Sequence, residues 1–126
     1  MNVVDSSGWL EYFADTECAD FFEPAIEDTQ HLLVPVICLY EVFKKILQSQ
    51  DQTMAEICAA DMMKGKVIEL TAPLALNAAL LSNQHHLPME DSLILAMVRE
   101  HDAILWTQDE HFEGLEGIKY FYKAER

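Results

Sequence analysis

Asn2-Val3-Val4-Asp5-Ser6-Ser7 opens the chain, and the reading of this stretch decides the fold. Val3 and Val4 predict a short buried strand that breaks at Asp5. Ser6 and Ser7 fall where a following helix needs an N-cap acceptor for its unpaired N–H groups. A buried strand that delivers a carboxylate into the loop before a helix is how open α/β sheets build sites, at the carboxyl ends of their strands. Taken alone, Asp5 is equally well read as a turn or capping residue.

The same pattern recurs downstream. His31–Val34 (closed by Pro35), Lys66–Leu70, Ala103–Trp106 and Ile118–Tyr122 predict further strands. Trp9–Phe13 begins a short apolar helix, and a second short helix is expected beyond it because Pro24 fits a first turn better than a helix interior. Ile37, Tyr40, Phe43 and Leu47 set a helix over about Val36–Gln48. Another runs from Thr53 to Lys64 before Gly65, and Pro73 opens an Ala- and Leu-rich one reaching about Gln84. Pro88-Met89-Glu90-Asp91 begins the next, from Ser92 to about His101. Strands alternating with helices across short connections predict an α/β domain with a parallel sheet. At 126 residues one domain spanning 1–126 is expected.

The totals narrow the function classes. A hydrophobic share of 51% opposes disorder. No apolar run approaches the ~18 residues that span a bilayer and no leader pattern opens the chain, so a cytoplasmic protein with no membrane partner is expected. Cys18, Cys38 and Cys58 form no Cys-x-x-Cys pair and read as core residues in a reducing compartment. Met54, Met62 and Met63 read as gap-filling core, and His85-His86 as end-of-helix or solvated residues rather than metal ligands. Twenty-two acids against eight bases give a formal net charge of −14. Such a chain repels polyanions, so any contact with RNA needs local basic patches, bound cations or a basic partner. The seven acids from Glu11 to Asp28 read as a solvated face or as a landing place for such a partner.

Other acids have two readings each. Glu41 pairs with Lys45 at i,i+4, worth about 0.2–0.5 kcal/mol, or faces a site. Glu90 and Asp91 complement a helix macrodipole, or deliver ligands. Thr107 and Glu110 have capping-box spacing around Asp109, or Asp109 belongs to the site at a strand end. A chemistry that needs several oxygen ligands would place acids at these positions.

Read together, Val3-Val4-Asp5-Ser6-Ser7, Tyr40-Glu41-Val42, Met89-Glu90-Asp91-Ser92-x-Ile94-x-Ala96 and Leu105-Trp106-Thr107-x-Asp109-x-x-Phe112 resemble the PIN domain. Within it they are similar to the VapC-type toxin ribonucleases of bacterial toxin–antitoxin pairs. The resemblance implies a three-layer α/β/α sandwich around a mainly parallel sheet of four or five strands. It implies catalytic Asp5, Glu41, Asp91 and Asp109, with Asp5, Asp91 and Asp109 holding Mg²⁺ or Mn²⁺ and Glu41 acting through water or as a base. Ser6 and Thr107 match hydroxyl positions that orient those acids. The chain departs from the pattern at Glu90, an added carboxylate at the rim where many relatives have a small residue, and at His111, where many have Asp. The implied reaction is in-line hydrolysis of RNA to a 5′-phosphate and a 3′-hydroxyl, with a small antitoxin as inhibitor and a homodimer as the common assembly. Lys44, Lys45 and Arg99 are the bases available to hold RNA outside the pocket. Two alternatives are a catalytically silent binding module of the same fold and a receiver-like phospho-acceptor domain. The second needs an acidic pair ending the first strand and a lysine after the last strands, whereas Asp5 stands alone and Lys119 lies inside a strand.

Overall fold

Val3 and Val4 are buried to 1% and 0% exposure in β1 (Asn2–Val4), the central strand of a five-stranded sheet. The computed structural model describes residues 1–126. Its other strands are β2 (Leu32–Pro35), β3 (Lys66–Ile68), β4 (Ile104–Thr107) and β5 (Ile118–Tyr120). Their order is β3-β2-β1-β4-β5, with every neighbouring pair parallel. Six helices connect them: α1 (Ser6–Ala14), α2 (Ala19–Glu27), α3 (Val36–Ser49), α4 (Gln52–Met62), α5 (Ala72–His85) and α6 (Met89–Glu100).

From β1 the chain winds outward through α1–α2 to β2, and through α3–α4 to β3. It then returns through α5–α6 to β4 on the other side of β1. Right-handed crossovers therefore put α1–α4 on one face of the sheet and α5–α6 on the other. This is the expected α/β/α sandwich, and its sheet has five strands. Winding reverses between β1 and β4, so a crevice opens at the carboxyl ends of these two strands. Register pairs Val3 with Leu105 and Val4 with Trp106, so Asp5 and Thr107 leave the sheet side by side.

Local chemistry moves several boundaries. Asp5 itself caps α1, its carboxylate accepting from Gly8 N at 3.0 Å, in place of the expected Ser6 or Ser7. Two short helices do follow β1, but Pro24 lies inside α2. The break is made by Asp15, which ends α1 in the left-handed region at φ 51° with its N–H turned back to Glu11 and Tyr12. Pro35 is the last residue of β2, paired with Ile68, and not the residue that closes it. His31 falls in a single 3₁₀ turn before β2. His85 and His86 end α5, as the sequence suggested, and the three cysteines are free. No helix is long and apolar enough to cross a membrane.

Gly8 sets how closely α1 approaches the sheet. A Cβ there would stand 2.6 Å from Val4 Cγ1 and 2.7 Å from Phe22 Cε1, both in the core. Gly8→Ala is therefore expected to destabilise the fold by about 1–3 kcal/mol through overpacking, measured as a lower midpoint in urea. A midpoint equal to that of the wild type would contradict this packing.

Candidate active site

Five carboxylates gather at the crevice, carried by four elements. Asp5 follows β1, Glu41 lies on α3, Glu90 and Asp91 stand in the first turn of α6, and Asp109 follows β4. Asp5 is 4% exposed and its oxygens are fully engaged. Oδ1 accepts from Gly8 N at 3.0 Å and from Ser7 Oγ at 3.1 Å, and Oδ2 accepts from Thr107 Oγ1 at 2.5 Å. The Thr107 hydroxyl in turn accepts from Asp109 N at 3.0 Å. One buried hydroxyl thus fixes the acid after β1 and the backbone of the acid after β4.

That network replaces the expected capping box of Thr107 and Glu110. Asp109 caps the following 3₁₀ turn, Glu110–Phe112, by accepting from His111 N at 2.9 Å. The Ser6 assignment also shifts: its hydroxyl donates to Glu90 Oε1 at 2.9 Å, and Ser7 is the serine that orients Asp5. Glu41 has no ion pair with Lys45; its carboxyl lies within hydrogen-bond reach of Glu90. Cys38, on the same helix as Glu41, is buried with its Sγ 4.0 Å from Val4 O. Burial pushes the Cys38 thiol up, and the charges of Asp5, Glu90 and Glu41 push the same way.

The tightest grouping is Asp91, Asp109 and His111, whose ligand atoms all lie within 4.8 Å of one another. His111 Nδ1 stands 2.9 Å from Asp91 Oδ2 and 3.0 Å from Asp109 Oδ1. Asp5 lies outside this triplet, near enough to Asp109 for their charges to interact. No Lys or Arg pairs with any of the five acids; His111 is their one basic partner. Two carboxylates about 4 Å apart repel by roughly 4 kcal/mol at an effective dielectric near 20. A donor set of carboxylate oxygens with so little compensating charge fits a divalent cation.

The proposed RNA-binding bases divide. Lys44 and Lys45 are exposed one turn beyond Glu41 on α3. Arg99 lies eight residues past Asp91, about 12 Å along α6, at the end remote from the pocket. It does not border the site. The acids of the Glu11–Asp28 stretch are exposed apart from Glu11, which is half-buried and accepts from Thr16 Oγ1 at 2.8 Å. The sequence singled out His111 only as a departure from the resembled pattern. Its proximity to Asp91 depends on contact across the fold, which local spacing does not report.

Confinement raises the pH at which Asp5, Glu90 and Asp91 give up their protons. Burial pushes Asp5 up from 3.8 to about 6, against hydrogen bonds from Thr107, Gly8 and Ser7. Glu90 is pushed up to about 7 by burial and by its hydrogen bond with Glu41, with Ser6 opposing. Burial and the charge of Asp109 push Asp91 up to about 6, with His111 opposing. A folded-state pKa above the unfolded one means the native chain binds more protons across the interval, so stability falls as pH rises through it. For Asp5 alone the loss is about 3 kcal/mol. In chelator, the wild type is expected to melt at a lower temperature at about pH 7.5 than at about pH 4.5, and Asp5→Asn to flatten that slope. A melting temperature that rises across this range would contradict it.

Comparison with curated protein sequences gives no match. Among solved structures, a toxin–antitoxin complex from Klebsiella pneumoniae superposes with a TM-score of 0.81 at 18% identity, over 97% of this chain and 98% of that one. A VapC toxin of Mycobacterium tuberculosis that cleaves the sarcin–ricin loop gives a TM-score of 0.77 at 16% identity, over 93% and 96%. A VapBC complex from Rickettsia felis bound to a DNA fragment from its promoter gives 0.74 at 11%, over 96% and 98%. At these identities the likeness establishes the fold. The family model of the PIN domain matches residues 3–118. The chain belongs to the PIN domain family.

Proposed function

We propose that the protein is a metal-dependent endoribonuclease, the toxin of a toxin–antitoxin pair. The observation that carries this reading is the set of five acids at the switch point with His111 as their one basic partner. Family membership and the toxin–antitoxin systems among the structural neighbours support it. A silent binding module has no use for uncompensated acids that cost stability, and a receiver-like domain would not match the PIN family model.

Asp91 and Asp109 would hold Mg²⁺ or Mn²⁺, with Asp5 completing the negative field from behind them. Such an ion, when bound, supplies positive charge that activates water and offsets the charge growing on the phosphate. Thr107 holds the Asp5 carboxylate in place and thereby sets the position of Asp109. Ser6 holds Glu90, and Glu90 holds Glu41. Glu41 is then placed to orient the attacking water and receive its proton. Lys44 and Lys45 on the flank of α3 would hold the RNA backbone, and cation charge in the pocket would offset the −14 of the chain.

The antitoxin would supply what this chain lacks, positive charge and an apolar segment. A groove of about 520 Å³ between α3 and α4, lined by Leu39, Tyr40, Phe43, Leu47 and Met63, lies on the same helix as Glu41 and suits that segment. The homodimer and a cytoplasmic location are proposed on family resemblance.

Incubated with total and transfer RNA and Mg²⁺, the wild type is expected to give discrete cuts with 5′-phosphate ends. Asp5→Asn and Asp91→Asn, checked as folded, should lose more than about a hundredfold in rate. Equal cleavage by all three proteins, or full activity in excess chelator, would assign the activity elsewhere. Co-expressed with a small basic protein from the neighbouring reading frame, the chain should co-purify with it. Leu47→Asp should weaken that association, and unchanged retention would remove the α3–α4 groove from the account.

A further inference from the structure

We infer that His111 is a metal ligand through Nδ1, giving the site a mixed nitrogen and oxygen donor set that favours a first-row transition ion over Mg²⁺. This rests on the metal-dependent reading above and specifies which ion that site selects. Asp91 Oδ2 and Asp109 Oδ1 stand 2.9 and 3.0 Å from Nδ1. Neighbouring ligands on an octahedral ion with bonds of about 2.1 Å are about 3.0 Å apart. Nδ1 therefore already has the separation of an adjacent ligand from each carboxylate oxygen, and the ligand atoms of all three residues lie within 4.8 Å of one another.

The position of His111 is fixed by its backbone rather than by packing of its ring. Its N–H is held by Asp109 Oδ1 at 2.9 Å, and the next residue, Phe112, is wholly buried and anchors the turn. The His111 side chain itself is 53% exposed, so the core does not dictate where the imidazole points. The two carboxylates do. Imidazole nitrogen is a softer donor than carboxylate oxygen, and Mg²⁺ takes oxygen ligands almost exclusively. Replacing an oxygen donor by His111 at this corner therefore disfavours Mg²⁺ relative to first-row transition ions, of which Mn²⁺ is the weakest-binding and so the strictest probe, whereas Asp at the same place would restore a hard site.

Pulsed EPR of the purified chain loaded with Mn²⁺ reads the ligand directly, through nitrogen hyperfine coupling, without reference to activity. Coupling is expected in the wild type and should vanish in His111→Asp. The ratio of Mn²⁺ to Mg²⁺ affinity, from calorimetric titration with each ion, should fall by about tenfold or more in that variant. Mn²⁺ bound without nitrogen coupling, or an unchanged affinity ratio in folded His111→Asp, would overturn the proposal and leave the ribonuclease reading standing. A wild type that binds neither ion would overturn both. His111→Gln serves as the second variant if His111→Asp does not fold, and it too should lose the coupling.

Discussion

The 2.5 Å hydrogen bond from Thr107 to Asp5 is the contact on which the site depends. It joins residues 102 apart in sequence, across the two strands between which the sheet reverses its winding. Parallel pairing of Val4 with Trp106 brings the two chain ends together, and the hydroxyl then serves two acids at once. Removing it would leave a buried carboxylate short of a donor and free the turn that carries Asp109 and His111. Fold and site are coupled at this one point, because the residue that terminates β4 also positions the chemistry.

Around that bond the molecule accumulates negative charge that nothing of comparable strength offsets. Asp5 caps α1 although burial pushes its carboxyl up to about 6, and Asp91 sits in the first turn of α6, where the helix dipole favours an anion. Glu90 lies within hydrogen-bond reach of Glu41, and that neighbour, with burial, pushes the Glu90 carboxyl up without any basic residue to oppose it. An acid gathering of this kind costs stability at neutral pH, and a bound cation reverses that cost. On the proposed reading, the charge that would meet phosphate belongs to such an ion and to Lys44 and Lys45, not to the average surface of an acidic chain.

The sheet was legible because Val3-Val4, Leu32-Leu33-Val34 and Ile104-Leu105-Trp106 are short apolar runs separated by helical periodicity. The boundaries that moved were set by capping: Asp5 took the role expected of Ser6 and Ser7, and with the first helix ended at Asp15 the second began at Ala19, leaving Pro24 inside it and not in its first turn. Asp5, Glu41, Asp91 and Asp109 were readable as candidates from their places after strands and near helix starts. Their partners were not. Ser6 with Glu90, Glu90 with Glu41 and His111 with Asp91 are contacts between distant segments, and they follow from how α3, α6 and the turn after β4 close on one crevice. Asp5 caps α1 and also stands at the crevice, so the two readings that the sequence posed as alternatives are compatible.

On the proposed reading, acids from separate strands and helices form one cation-holding crevice at the carboxyl ends of β1 and β4. An anomalous difference map from crystals soaked in Mn²⁺ tests it most directly. The account predicts a single dominant peak in contact with Asp91 and Asp109. A map with no peak there, or with Mn²⁺ bound instead along the exposed acids of α2, would contradict it.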